Sequence, residues 1–285
     1  MRRLTGPIAI GSAVAILALA APAAEARHNT DGFAVYEDWS TADDIRGDRW
    51  RGAVTSAQDA SKEQQRRRAH LRLRREGSNS SNVGAFGAKL DLSTTHPLGI
   101  TRFALEARVK NLELVGCPAN ASAVSAALPL QVSLSKFSDG TPGPPGDFTG
   151  DHFGRLQLFR ASTSIDPPDA LQVHLEIFRC ADASCSAVRQ IPDGFIALPT
   201  LVRVGEKVWL RLVWDAANNR FVARVNDGPD VSLPYPAGLN QGPARVPFAT
   251  ISVLNQGANC LGQAGMADTS TEIVVVLTDP STVIP

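Results

Sequence analysis

The stretch Leu171-Gln172-Val173-His174-Leu175-Glu176-Ile177 alternates apolar and polar residues without a break. Successive side chains in a β-strand point to opposite faces. Leu171, Val173, Leu175 and Ile177 therefore share one side, and Gln172, His174 and Glu176 share the other. A helix would scatter the same residues around its axis. The segment reads as a strand with one face in a core and the other turned out.

The same pattern recurs at Leu71 and Leu73, at Phe103, Leu105, Ala107 and Val109, at Leu130, Val132 and Leu134, and at Leu156 and Leu158. Val208, Leu210, Leu212 and Trp214 continue it, and Ala216-Ala217-Asn218-Asn219 turns the chain into Phe221, Ala223 and Val225, which predicts a hairpin. Phe248 to Leu254 and Ile273 to Leu277 read as strands buried on both faces. No amphipathic helix interrupts the series, and the lack of a repeat of fixed period argues against a solenoid or propeller. Roughly ten to twelve strands in a chain of this length predict an all-β, two-sheet antiparallel β-sandwich. The Gly- and Pro-rich stretch Ser138 to Gly154 is expected to be a long loop within it.

Among 285 residues, 28 Lys+Arg balance 28 Asp+Glu, so overall charge favours neither nucleic acid nor an anionic membrane as partner. Residues 1–26 have the form of a secretory signal: Arg2 and Arg3, an apolar run from Ile8 to Ala20, and Ala24-Glu25-Ala26 as a cleavage site. The expectation is export to the periplasm or beyond, no stable membrane insertion after cleavage, and one sandwich domain over residues 27–285. Four cysteines in an oxidising compartment predict two disulfides. Cys180 and Cys185 bracket four residues and suit a short bridge, leaving Cys117 with Cys260. A zinc site finds neither a C-x-x-C pair nor a His at ligand spacing.

Phe33-Ala34-Val35-Tyr36-Glu37-Asp38-Trp39-Ser40, Arg49-Trp50 and the late strand Trp209-Leu210-Arg211-Leu212-Val213-Trp214 resemble the concanavalin A-like lectin and glucanase superfamily, laminin G-like members in particular. The resemblance implies a jelly roll with one concave sheet. The stretch from Arg160 to Cys185 also looks like a segment of exported bacterial proteins.

Glucanase chemistry needs two facing carboxylates. The retaining glucanase signature Glu-x-Asp-x-x-Glu is absent, and Glu106 and Glu176 each lack a second carboxylate two residues away, so both are expected in cross-strand ion pairs. A second resemblance is to alginate-lyase jelly rolls, through Arg102-x-x-x-Glu106-x-Arg108, Gln172-Val173-His174 and Tyr235-Pro236-Ala237-Gly238-Leu239-Asn240-Gln241. It implies Arg102 or Arg108 and Gln172 on a uronate carboxylate, with His174 and Tyr235 exchanging protons. The Lys expected after the Tyr is missing, and Pro236 is unsuited to a central strand.

The alternation also predicts a polar sheet face for ligand binding, formed by Gln131, Ser133, Arg155, Gln157, Gln172, His174 and Glu176. With only 4 Trp and 2 Tyr, sugar recognition there would rely on hydrogen bonds and Arg contacts over stacking. Lys62 to Arg75 carries a net +6, and Arg66, Arg67, Arg68, Arg72 and Arg74 form a candidate polyanion patch. No cofactor is expected, calcium being the one candidate through Asp139, Asp147 and Asp151, whose spacing matches no calcium-loop template. The residues favour an exported binding module for a glycan or cell-surface polymer. The alternatives are a lyase or hydrolase of acidic glycans and an envelope protein without ligand.

Overall fold

Apolar residues at every second position can all reach one core only if the strands carrying them pair in register, and the computed structural model shows this arrangement. It describes residues 49–55, 59–65, 68–76, 86–115, 125–257 and 270–283. With strands numbered in chain order, one antiparallel sheet runs β1 (Trp50–Thr55), β4 (Phe86–Thr94), β13 (Gly242–Gly257), β6 (Ala126–Ser138), β7 (Asp151–Ala161), β8 (Ala170–Cys180) and β9 (Val188–Arg203). The other runs β12 (Val231–Pro234), β11 (Arg220–Val225), β10 (Lys207–Asp215), β5 (Arg102–Leu114), β14 (Ser270–Val283), β3 (Arg68–Glu76) and β2 (Asp59–Gln65). The two sheets form the expected sandwich, and both draw strands from early and late parts of the chain.

The described residues hold 14 strands, more than the alternation alone indicates. Four of the extra ones, β1, β2, β9 and β12, are the outermost strands of their sheets. An edge strand pairs on one side only and tolerates residues that a central strand rejects. Accordingly β9 carries Pro192, Gly194 and Pro199. The Ser138 to Gly154 loop is shorter than expected, because Asp151 to Gly154 already belong to β7.

Leu130, Val132 and Leu134 on β6, Leu156 and Leu158 on β7, and Val173, Leu175 and Ile177 on β8 are fully buried against Phe103, Leu105, Leu210, Leu212 and Phe221 of the other sheet. Each fully buried side chain of this size contributes about 1.5–3 kcal/mol. One end of the core is closed by aromatic rings. Phe137 stacks on Tyr235 at 4.4 Å and on His152 at 4.9 Å, and lies 6.3 Å from Trp214. Its inward position depends on a β-bulge. Ser135 pairs with Phe153 and Phe137 with His152, so Lys136 is an extra residue that shifts the facing of β6 by one step.

The hairpin of β10 and β11 forms as predicted, with Asn219 at φ 48 closing its turn. Cys180 and Cys185 are bridged, tying the end of β8 to the following loop. Cys117 and Cys260 lie outside the described residues, as do residues 1–48, which include the proposed signal and the Phe33 to Ser40 segment.

Gly154 interrupts the apolar series of β7 for a steric reason: a Cβ there would stand 2.3 Å from the Phe221 ring. Gly154→Ala is expected to cost about 1–3 kcal/mol through overpacking. In a chain of this size that lowers the melting temperature by roughly 2–4 °C per kcal/mol. An unchanged melting curve would show that the two sheets are not packed closely at this point.

Candidate functional site

The register of the first sheet carries its outward residues into straight rows. One row crosses six strands as Ser93, Thr250, Ser133, Arg155, Glu176 and Phe195. The next runs Asp91, Ser252, Gln131, Gln157, His174 and Ala197. All seven residues of the predicted polar face are thus brought onto one face of one sheet, with Gln172 two positions along β8 from His174. The floor is recessed: Gln131, Ser133, Gln157, His174 and Glu176 retain only 3–8% exposure.

Charges on this face are internally compensated. Arg155 donates from Nε and Nη2 to Glu176 Oε2 at 3.1 and 2.7 Å, and its guanidinium lies 4.2 Å from the centre of the Phe178 ring. Asp91 accepts from Ser252 at 2.5 Å and pairs with Lys89 at 2.8 Å. Ser93 and Thr250 share a hydrogen bond of 3.0 Å. At the β8 end, Gln172 donates to Asp166 at 2.8 Å while its Oε1 lies 3.2 Å from His174 Nε2. Burial holds His174 below its usual pKa, with Glu176 opposing and Arg155 adding to the shift, so the imidazole is neutral at pH 7. Gln157 stands apart: its Oε1 is buried without a hydrogen-bond partner among the described residues, an acceptor left for something else to satisfy.

Phenylalanines border the polar rows, which the aromatic count did not reveal. Phe153, Phe178 and Phe248 form a cluster at one end, joined by Phe148 from the β6–β7 loop. Phe159 and Phe195 flank His174, with ring centres 5.3 and 5.0 Å away. Phe195 is 46% exposed and is free to contact a ligand. The gathering was readable in part, because Phe153 and Phe159 share the outward parity of Arg155 and Gln157. Phe248 and Phe195 come from strands whose neighbours only the topology settles.

Other expected constellations do not form. Arg102 and Arg108 lie on β5 in the second sheet, whereas Gln172 and His174 face outward from the first, so the sandwich core separates the two pairs. Tyr235 is buried among Phe137 and Phe221, and its hydroxyl accepts from Trp214 Nε1 at 2.9 Å. The lyase arrangement is therefore excluded by placement, since proton exchange requires hydrogen-bond reach. The calcium candidates are also dispersed and engaged. Asp139 binds Thr141 and Arg179, Asp147 accepts from the Thr149 amide, and Asp151 accepts from the amides of Arg245 and Val246. Among the described residues no cluster of three metal-ligating side chains occurs.

Glu176 and Glu106 meet the ion-pair expectation, Glu106 through Lys207 at 3.2 Å. On the polar face Glu176 and Asp91 sit four strand spacings apart, about 19 Å. Two-carboxylate glycosidases hold theirs within about 5–9.5 Å. Of the proposed polyanion patch, Arg66 and Arg67 lie outside the described residues. Arg68 and Arg72 are on β3, and the register sets Arg74 opposite Asp59 and Glu272.

No protein-family model and no curated protein sequence matches this chain. Solved structures do. LamAcat from Zobellia galactanivorans superposes with a TM-score of 0.50 at 11% identity, covering 87% of this chain and 95% of its own. A laminarinase from Flavobacterium sp. UMI-01 gives 0.45 at 11% identity, covering 87% and 97%. Peanut lectin gives 0.38 at 10% identity, covering 86% and 97%. The fold is that of the concanavalin A-like lectins and glucanases.

His174 and His152 both have pKa values lowered mainly by burial. The folded chain then binds fewer protons than the unfolded chain below the ordinary value of 6.5, so their penalty is absent at neutral pH and grows as pH falls below 6.5. Denaturant titrations of wild type and His174→Gln should diverge below pH 6.5, the variant losing less stability. Parallel curves would show that His174 is not held neutral.

Proposed function

We propose that the chain is an exported, non-catalytic β-sandwich that binds a carbohydrate along the outward face of the sheet containing β6, β7 and β8. On this reading residues 1–26 direct export and residues 27–285 form one domain. The observation that carries the proposal is the buried, unpartnered Oε1 of Gln157 at the centre of two polar rows that cross the sheet.

A sugar hydroxyl is the right partner for that acceptor once rotation of the Gln157 side chain turns the oxygen, which is solvent-inaccessible as placed, toward the face. A sugar ring also presents hydroxyls at intervals that suit rows of Ser, Thr, Gln and His, and C–H faces that suit Phe195 and Phe159. Because Arg155 and Lys89 are already paired with Glu176 and Asp91, the face offers no uncompensated charge from those residues. A neutral glycan fits it better than a polyanion. The wide separation of Glu176 and Asp91 favours binding over two-carboxylate hydrolysis.

A glycan array followed by calorimetry on the strongest hit tests the proposal. Gln157→Leu should weaken the best neutral ligand roughly tenfold, the value of one hydrogen bond to a buried acceptor. Absence of binding to any neutral glycan would defeat the reading. So would binding that survives Gln157→Leu and disappears at moderate salt, which would assign it to the arginine-rich strand β3.

A further inference from the structure

The bulge in β6 has a second effect beside turning Phe137 inward. Lys136 is unpaired on both flanks: against β7 it falls between the Ser135–Phe153 and Phe137–His152 pairs, and against β13 between Phe248–Ser135 and Pro243–Phe137. On β13 the same gap holds four residues, Ala244 to Pro247, which leave the ladder together. This excursion is pinned, because the fully buried Asp151 carboxylate accepts the Arg245 and Val246 amides at 3.0 and 2.8 Å. Between the excursion and the β4–β5 connection lies a cavity of about 410 Å³, walled by Leu98, Trp214, Pro243, Ala244 and Pro247, with Lys136 the one charged residue among the described residues that line it. A bulge that re-aims one side chain into a cavity is a recurrent way of building a site.

Lys136 is poorly compensated there. It is 8% exposed, yet its ammonium makes one hydrogen bond, to the Pro97 carbonyl at 3.3 Å, which also accepts from the Ile100 amide. An ammonium carries three donors, and none of the described residues lining the cavity is a carboxylate. Burial alone pulls its pKa down to about 8, with no neighbouring charge opposing the shift. It is therefore mostly protonated at neutral pH. A buried cation without a counter-charge is costly and calls for an anion.

We propose that this cavity binds a small organic monocarboxylate with an apolar body, its carboxylate paired with Lys136 and its hydrocarbon part against Trp214, Pro247 and Leu98. Apolar walls with one placed polar group are the usual composition of a small-molecule site. Leu98, 77% exposed, stands at the rim and would be covered by such a ligand. The cavity shares no residue with the two polar rows, so it is independent of the proposed glycan face.

Octanoate and 1-octanol, titrated separately into the full chain and read by calorimetry and thermal shift, test the assignment. Octanoate should bind roughly ten- to a hundredfold more tightly than the alcohol of equal length, the effect of one desolvated charge-assisted contact. Lys136→Met should abolish that preference while leaving octanol binding unchanged, and should raise the melting temperature of the unliganded chain by removing an uncompensated charge. Equal affinity for the acid and the alcohol in the wild type would overturn the proposal without any variant. Undiminished octanoate binding by Lys136→Met would overturn it equally, and octanol binding by that variant shows that the cavity is intact.

Discussion

The architecture depends on the shared facing of β6, β7 and β8. Leu130, Val132 and Leu134 meet Leu156 and Leu158, which meet Val173 and Leu175, and together they form an apolar strip with no solvent exposure. A one-residue slip of any of these strands would turn its apolar set to the outside. The hydrophobic penalty for that slip holds the register, and the register in turn places Gln131 beside Gln157 and Gln157 beside His174. The polar rows are thus a by-product of packing the opposite face. Residues that never touch the core are positioned by it.

The same constraint explains why the single break in facing matters. If β6 continued its alternation, Phe137 would point outward with Ser133 and Ser135. The extra residue at Lys136 sends the ring inward to meet Tyr235, Trp214 and Phe221, closing one end of the sandwich. Inserting a residue leaves its own side chain without a place in either layer. The displaced Lys136 lines a cavity that the excursion of β13 leaves beside it. Gain of an aromatic contact between the sheets and burial of a poorly compensated cation are two results of one bulge.

Arginine pairs with carboxylates on both sheets. Arg155 is committed to Glu176 and to the Phe178 ring, and Arg179 to Asp139 and Thr141. These contacts hold the first sheet and the β6–β7 loop in place. Hydrogen bonds from Thr141 and Arg179 outweigh the opposing effect of burial and keep the Asp139 carboxyl at a pKa of about 2. On the second sheet Arg211 and Arg224 converge on Asp230. Arginine charge is therefore compensated locally on both outer faces at these positions.

Alternation in the sequence was enough to determine the strands with clean periodicity, the side of each that faces the core, and the polar set on β6, β7 and β8. These properties are local: two adjacent side chains in a strand cannot point the same way. The edge strands β1, β2, β9 and β12 were not legible, since a strand paired on one side is under weaker selection for pattern. Nor could spacing reveal that Arg102 and His174 stand on opposite sides of the core, that Tyr235 is inside it, or that Phe195 and Phe248 come to border the same face. Which strands become neighbours is settled by how two twisted sheets close over one core, and that depends on contacts between residues far apart in the chain. The bulge at Lys136 belongs to the same category, because an extra residue exists only relative to the partner strands that pass it by.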